Sequence, residues 1–147
     1  MSSPFAAALT LSHERLAPVV TAAVPWTRWE ALVAANGVTL DRPRGHPHPA
    51  FPDILYPLDY GYVNGTSSRD GDAVDAFVGS RPDLGLVGIL LTRDHVRGDR
   101  EVKLLLGMAP DEVYLAHGFL NFDRTRLDAV AALRYPMREL WRRATGR

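Results

Sequence analysis

The sequence has no cysteine. That excludes disulfides and thiolate metal ligands, and it fits a cytoplasmic setting. Lysine is nearly absent too: of 17 basic residues only Lys103 is lysine and the rest are arginine. No apolar run is long enough to cross a bilayer, which takes about 20 residues, and the longest stops at Leu84 to Leu91. No basic segment precedes an apolar stretch at the N-terminus, so no signal peptide is expected. Net charge is zero, with 17 acidic residues against 17 basic ones, and this gives no global case for nucleic-acid binding. The five arginines between Arg134 and Arg147 face only Glu139 and read as a solvated helix face. What is present is a 147-residue chain, 46% hydrophobic, which suits one domain with a sizeable core.

Helix signals stand at both ends. Residues 4 to 23 are alanine-rich, and Pro25 breaks the chain. Thr27 and Glu30 have capping-box spacing ahead of a helix to about Asn36, which Gly37 closes. From Val38 the texture becomes strand-like, in the pieces VTL, YGYV and DAFVG. GLVGILLT and EVKLLLG read as two more strands joined by the polar loop RDHVRGD. After Pro110 three helices are expected, in DEVYLAHGFLNF, TRLDAVAALRY and MRELWRRATG. The expected class is therefore α+β. A small closed barrel at 37–108 would lie between an N-terminal helical segment at 1–36 and C-terminal helices at 109–147, all in one domain. Trp26, Trp29 and Trp141 stand at helical spacings and are expected in the core. His117 reads as a half-buried helix residue and His95 as a solvated loop residue.

The chemistry concentrates in RDGDAVD, where Asp70, Asp72 and Asp75 fall within six residues. Like charges so close cost free energy unless something positive lies between them. In an extended segment Asp70 and Asp72 share a face, and Asp75 joins them only if the chain bends, which Gly71 permits. Carboxylates without cysteine form a hard-oxygen set, suited to Mg²⁺ or Mn²⁺ rather than zinc. An EF-hand is excluded, because Arg81 stands where its last glutamate would be. The competing reading is a plain Asp-Gly turn. Asp94, Asp99 and Glu101 lie around the next strand junction. A barrel could bring them opposite the first cluster, or they could be loop residues beside Arg93, Arg97 and Arg100. The single Lys103, two residues after Glu101, invites a chemical role.

The stretch YPLDYGYVNGT followed by DGDAVDAFVG resembles the soluble family I inorganic pyrophosphatases, over roughly 38 to 103. The upstream DRPRGHPHPAFPDILYP resembles a compact, divergent branch of pyrophosphatase-like proteins. The resemblance implies an OB-like five-stranded β-barrel. It also implies Mg²⁺-dependent hydrolysis of pyrophosphate to two phosphates, with a metal-activated water and an aspartate general base. Carried over, it makes Asp72 the general base and Asp70, Asp75, Asp94, Glu101 and Asp41 metal ligands, Asp41 through water. Lys103 and Tyr60 would bind the substrate and serve catalysis.

Three parts of the family pattern are missing. Its Lys-Tyr-Glu motif falls on Ala50-Phe51-Pro52-Asp53, its arginine before the Tyr-Pro strand has no counterpart, and its late Tyr-Lys pair falls near Phe122 and Asp123. Each lost cation or donor would cost about 2–4 kcal/mol of transition-state stabilisation. Arg42, Arg44, His46 and His48 are the nearby basic substitutes, Arg42 and Arg44 as phosphate contacts. The two histidines lie between prolines and read equally well as a surface polyproline-like loop. Two alternatives to pyrophosphate hydrolysis stay open. One is hydrolysis of a nucleotide or other phosphoanhydride, and the other is a non-catalytic metal- or phosphate-binding module on the same barrel. A homo-oligomer is left open as well.

Overall fold

A computed structural model describes residues 16–67 and 71–146. The N-terminal helices are α1 (Leu16–Ala23) and α2 (Trp26–Asn36), followed by strands β1 (Val38–Arg42), β2 (Asp59–Val63) and β3 (Asp75–Val78). A 3-10 turn, Pro82–Leu84, leads into β4 (Leu86–Asp94) and β5 (Arg100–Leu106), and then come α3 (Pro110–Leu120), β6 (Leu127–Leu133) and α4 (Met137–Thr145). The α+β class stands. The sheet is six-stranded rather than five-stranded, in the order β1-β2-β3-β5-β4-β6, and it is open, with β1 and β6 at its edges. All pairings are antiparallel except β3 with β5.

The sixth strand is the stretch expected as the helix TRLDAVAALRY. Its alanines favour helix locally, but they pair with the whole run from Gly88 to Asp94 on β4. Buried Ala129 and Ala132 are small enough to lie beneath helices on either face of the sheet. Tertiary pairing overrides propensity here. α2 forms where expected and ends at Gly37, whose φ of 77° suits glycine. The capping box does not form. The Glu30 side chain instead accepts the Leu86 N–H at 2.9 Å and pairs with Arg134 at 2.7 Å, which ties α2 to β4.

Strand alternation divides the core into two layers. Val63, Val74, Ala76, Ile89, Leu91 and Leu104 pack under α1 and α2 through Val20, Val24 and Trp29. On the opposite face, Tyr60, Phe77, Leu90 and Leu105 pack under α3 and α4 through Val113, Ala116 and Leu140. Trp29 is buried as expected and Trp26 packs against the first layer. Trp141 is 56% exposed, on the outer side of α4. Gly61 marks the tightest approach in the sheet: a Cβ there would lie 2.0 Å from the Thr39 carbonyl oxygen of β1. Among the described residues no helix is long and apolar enough to cross a membrane.

Candidate active site

The second layer is not apolar along its whole length. Toward the start of β5 it gives way to polar residues, because Glu101 and Lys103 share a face with Leu105. The parallel register of β3 sets Asp75 beside Lys103. The antiparallel register of β2 sets Tyr62 beside Asp75 and brings Tyr60 one step away on the same face. The Lys103 Nζ donates to Tyr60 OH at 2.9 Å, to Asp75 Oδ2 at 3.1 Å and to Glu101 Oε2 at 3.0 Å. An ammonium has three N–H donors, so all three are engaged. The Tyr60 hydroxyl in turn donates to Asp75 Oδ2.

Burial alone would drive Lys103 towards its neutral form. The oxygens of Tyr60, Asp75 and Glu101 outweigh it and hold the ammonium protonated well beyond the ordinary lysine range. The Tyr60 hydroxyl is also raised above its ordinary value. Burial disfavours its anion, and the Asp75 charge and hydrogen bond add to that effect against the opposing charge of Lys103. This corner of the sheet therefore carries a fixed positive charge against two carboxylates and a neutral phenol.

Around this network lies a cavity of about 570 Å³. Asp72 and Asp75 reach it from one acidic segment, and Asp94, Asp99 and Glu101 reach it from the other. Gly71 bends the chain just before Asp72, at a φ of 91°. Arg42 closes another part of the wall. Its Nη1 donates to Tyr56 OH at 2.6 Å, and its guanidinium lies 5.6 Å from the Tyr56 ring centroid and 5.7 Å from that of Tyr60. His48 lines the cavity with its Nδ1 accepting the N–H groups of Ala50 and Phe51. Burial, helped by Arg42, lowers the His48 pKa and leaves the imidazole neutral with Nε2–H as its donor.

Of the residues singled out in the sequence, Arg42, Tyr60, Asp72, Asp75, Asp94, Glu101 and Lys103 line this one cavity. Asp70 lies outside the described residues. Asp41 and Arg44 do not line it. Asp41 is exposed at an irregularity where the register skips between Leu40 and Arg42, and Arg44 is exposed, with its backbone N–H donating to Asp59. Asp94 has a second task, accepting the N–H groups of Val96 and Arg97 to shape the β4–β5 loop. The histidine loop is not polyproline-like: Pro47 and Leu55 form a bridge, and Tyr56 N–H donates to the His46 carbonyl. Nor is His95 merely solvated, since its Nε2 lies 2.8 Å from Asp128 Oδ2.

Sequence reasoning missed Tyr56 and Arg97 on the cavity wall. Tyr56 could have been flagged by the Tyr-Pro that opens YPLDYGYV. Nothing in the loop around Arg97 distinguishes it from its arginine neighbours. Every acidic donor here is a carboxylate, which suits a hard divalent cation such as Mg²⁺. Among the described residues, however, no three acidic or histidine side chains gather tightly enough to hold a metal on their own. The donor chemistry fits the ion. The cavity carboxylates available to such an ion are Asp72, Asp75, Asp94, Asp99 and Glu101, of which Asp75 and Glu101 are paired with Lys103.

Sheet and cavity together define an α+β protein with a pocket lined by five carboxylates and by Arg42, Arg97 and Lys103. Its likeness is to the inorganic pyrophosphatases. An inorganic pyrophosphatase of Haemophilus ducreyi is 42% identical over 57 residues, 33% of this chain and 33% of that protein. The match thus spans about a third of the curated relative's length. Similar solved structures include an inorganic pyrophosphatase of Thermus thermophilus, at TM-score 0.44 and 20% identity over 71% of this chain and 86% of that one. One from Coxiella burnetii has TM-score 0.43 and 16% identity over 65% and 81%. No protein-family model matches the chain.

Proposed function

We propose that this protein hydrolyses pyrophosphate to two phosphates in the cavity around Lys103, with Mg²⁺ as its cofactor and Mn²⁺ as a substitute. The observation that carries the reading is the union of two acidic segments and a buried lysine–tyrosine pair in one cavity. The partial likeness to a named inorganic pyrophosphatase supports it.

Pyrophosphate brings concentrated negative charge, so hydrolysis first needs that charge neutralised. A bound divalent cation would supply most of the neutralisation and would acidify the attacking water. The chain's own residues do the rest. Arg42, held by Tyr56, offers a guanidinium whose paired donors fit two phosphate oxygens. Lys103 trades part of its carboxylate contacts for a phosphate oxygen. Tyr60 stays neutral and can turn its O–H from Asp75 to the substrate. Asp72, exposed at the cavity mouth, takes the proton from the attacking water.

The direct test is phosphate release from pyrophosphate by the purified chain, with Mg²⁺ and with EDTA. Release that needs the metal supports the proposal. Release no faster than a protein-free blank, with either Mg²⁺ or Mn²⁺, removes it.

A further inference from the structure

A second cavity of about 240 Å³ opens beside the first. The two share His48, Asp94, Arg97, Phe119, Leu120 and Leu127 as common walls. Their chemistry differs sharply. The second is walled by Phe51, Phe119 and Phe122, with the rings of Phe51 and Phe122 5.3 Å apart and nearly perpendicular. The neutral His48 ring lies 5.3 Å from Phe51 and 6.0 Å from Phe122. The guanidinium of Arg126 lies 5.1 Å from the Phe51 centroid and adds a flat cationic surface.

Inorganic pyrophosphate has no apolar part and gains nothing from such a wall. A planar ring system would gain from it, because aromatic side chains and arginine planes both stack on π-faces. The positions facing this space include Phe122 and Asp123, where the resemblance calls for a phosphate-gripping Tyr-Lys pair. Phe122 keeps the ring of that pair without its hydroxyl, and Asp123 puts a carboxylate where the ammonium would be, so the wall stays aromatic and the phosphate grip is lost. Arg97 lines both cavities, so one guanidinium can meet a phosphate at their junction.

We infer that the aromatic cavity receives the base of a nucleoside diphosphate whose phosphates lie in the acidic cavity. The inference rests on the hydrolase reading and extends its substrate class from inorganic pyrophosphate to nucleoside diphosphates. In the reaction, the water oxygen bonds to the terminal phosphorus and the bridging P–O bond breaks. The bridging oxygen leaves with the inner phosphate as a nucleoside monophosphate, the other product is inorganic phosphate, and the water's proton passes through Asp72 to solvent.

The test measures kcat/KM for ADP and for pyrophosphate under identical Mg²⁺, in the native chain and in Phe51→Ala and Phe122→Ala. Phe122 is 44% exposed, so its truncation leaves the core in place, and a thermal melt of each variant checks this. The native protein should turn over ADP at least as efficiently as pyrophosphate. Each variant should lower the ADP-to-pyrophosphate ratio about tenfold, within the range by which alanine substitution weakens base stacking. Turnover of pyrophosphate without ADP overturns the inference and leaves the hydrolase reading intact. Turnover of both with an unchanged ratio in both folded variants overturns it too, since the base would then sit elsewhere. Turnover of neither removes the hydrolase reading and the inference with it.

Discussion

Replacing Lys103 with methionine keeps the unbranched apolar stem and deletes the terminal ammonium, so it isolates what the ammonium contributes. Three acceptors lose the Lys103 donor at once, Tyr60 OH, Asp75 Oδ2 and Glu101 Oε2, and among the described residues only Asp75 Oδ2 keeps another, the Tyr60 hydroxyl. Breaking a buried ion pair from one side costs about 3–5 kcal/mol where the surviving charge cannot reach water. Here the surviving side chains are 34% and 29% exposed, at Asp75 and Glu101, so water takes over part of the solvation. The loss at pH 7.5 should therefore be about 2 kcal/mol, which for a domain of this size moves the urea midpoint by about 1 M. A pH arm adds a sign. Lys103 and Tyr60 both bind their protons more tightly in the folded state than in the unfolded one. Their contribution is complete below the unfolded values near 10 and is lost as pH rises above them. Native stability should thus fall with rising pH above about 10, and fall less steeply in Lys103→Met. Circular dichroism during urea titration at pH 7.5, 9.5 and 10.5 reads both effects. If the variant unfolds with the native protein at pH 7.5, or shows the same alkaline slope, the network does not hold this corner of the sheet.

Asp72→Asn should lower phosphate release from pyrophosphate by about 10²- to 10⁴-fold while the melting temperature stays put, because Asp72 is exposed; a variant keeping a tenth of the rate would discard its role as base. Gly61→Ala places a methyl against the Thr39 carbonyl and should cost more than about 2 kcal/mol, and a native-like urea curve would refute that approach of β1 to β2. Trp29→Ala should cost about 3–5 kcal/mol from the buried layer, whereas Trp141→Ala should stay within about 0.5 kcal/mol. Equal losses for the two tryptophans would show the layer assignment to be wrong.

Local signals in the sequence were enough for α2, for α3 and α4, and for the five strands from β1 to β5. Each of these is bounded by a proline, a glycine or an Asp-Gly turn. β6 lacked such a signal. Its alanines carry little patterning, and what makes it a strand is the unpaired edge of β4, which no window of neighbouring residues contains. The same distinction runs through the site. Glu101 and Lys103 share a face by strand parity alone, and that much is visible in the letters EVK. The contact of Lys103 with Asp75 depends on the parallel β3–β5 register, and that of Lys103 with Tyr60 on a further antiparallel step across β2. Registers between distant strands are set by how whole layers pack, so they were not readable from spacing.

Glu30 shows the cost of reading a local rule too literally. Its spacing from Thr27 matched a capping box, yet the Leu86 N–H and Arg134 offer it stronger partners once α2 lies on the sheet. The unmatched lysine count worked better as a clue, for a physical reason. A compact ammonium tolerates burial only with several acceptors around it. A chain that otherwise uses arginine therefore spends its single lysine where a guanidinium would not fit, between two carboxylates and a phenol on neighbouring strands. The same reasoning bears on the aromatic cavity. Phe51 and Phe122 fall where the resemblance has the tyrosines of its Lys-Tyr-Glu and Tyr-Lys motifs, and the two rings meet although 71 positions separate them in the chain. One lost cation could be drift. Two hydroxyls lost from rings that meet beside the acidic cavity, with Ala50 and Asp123 where the resemblance has lysines, are a change in what that space can bind.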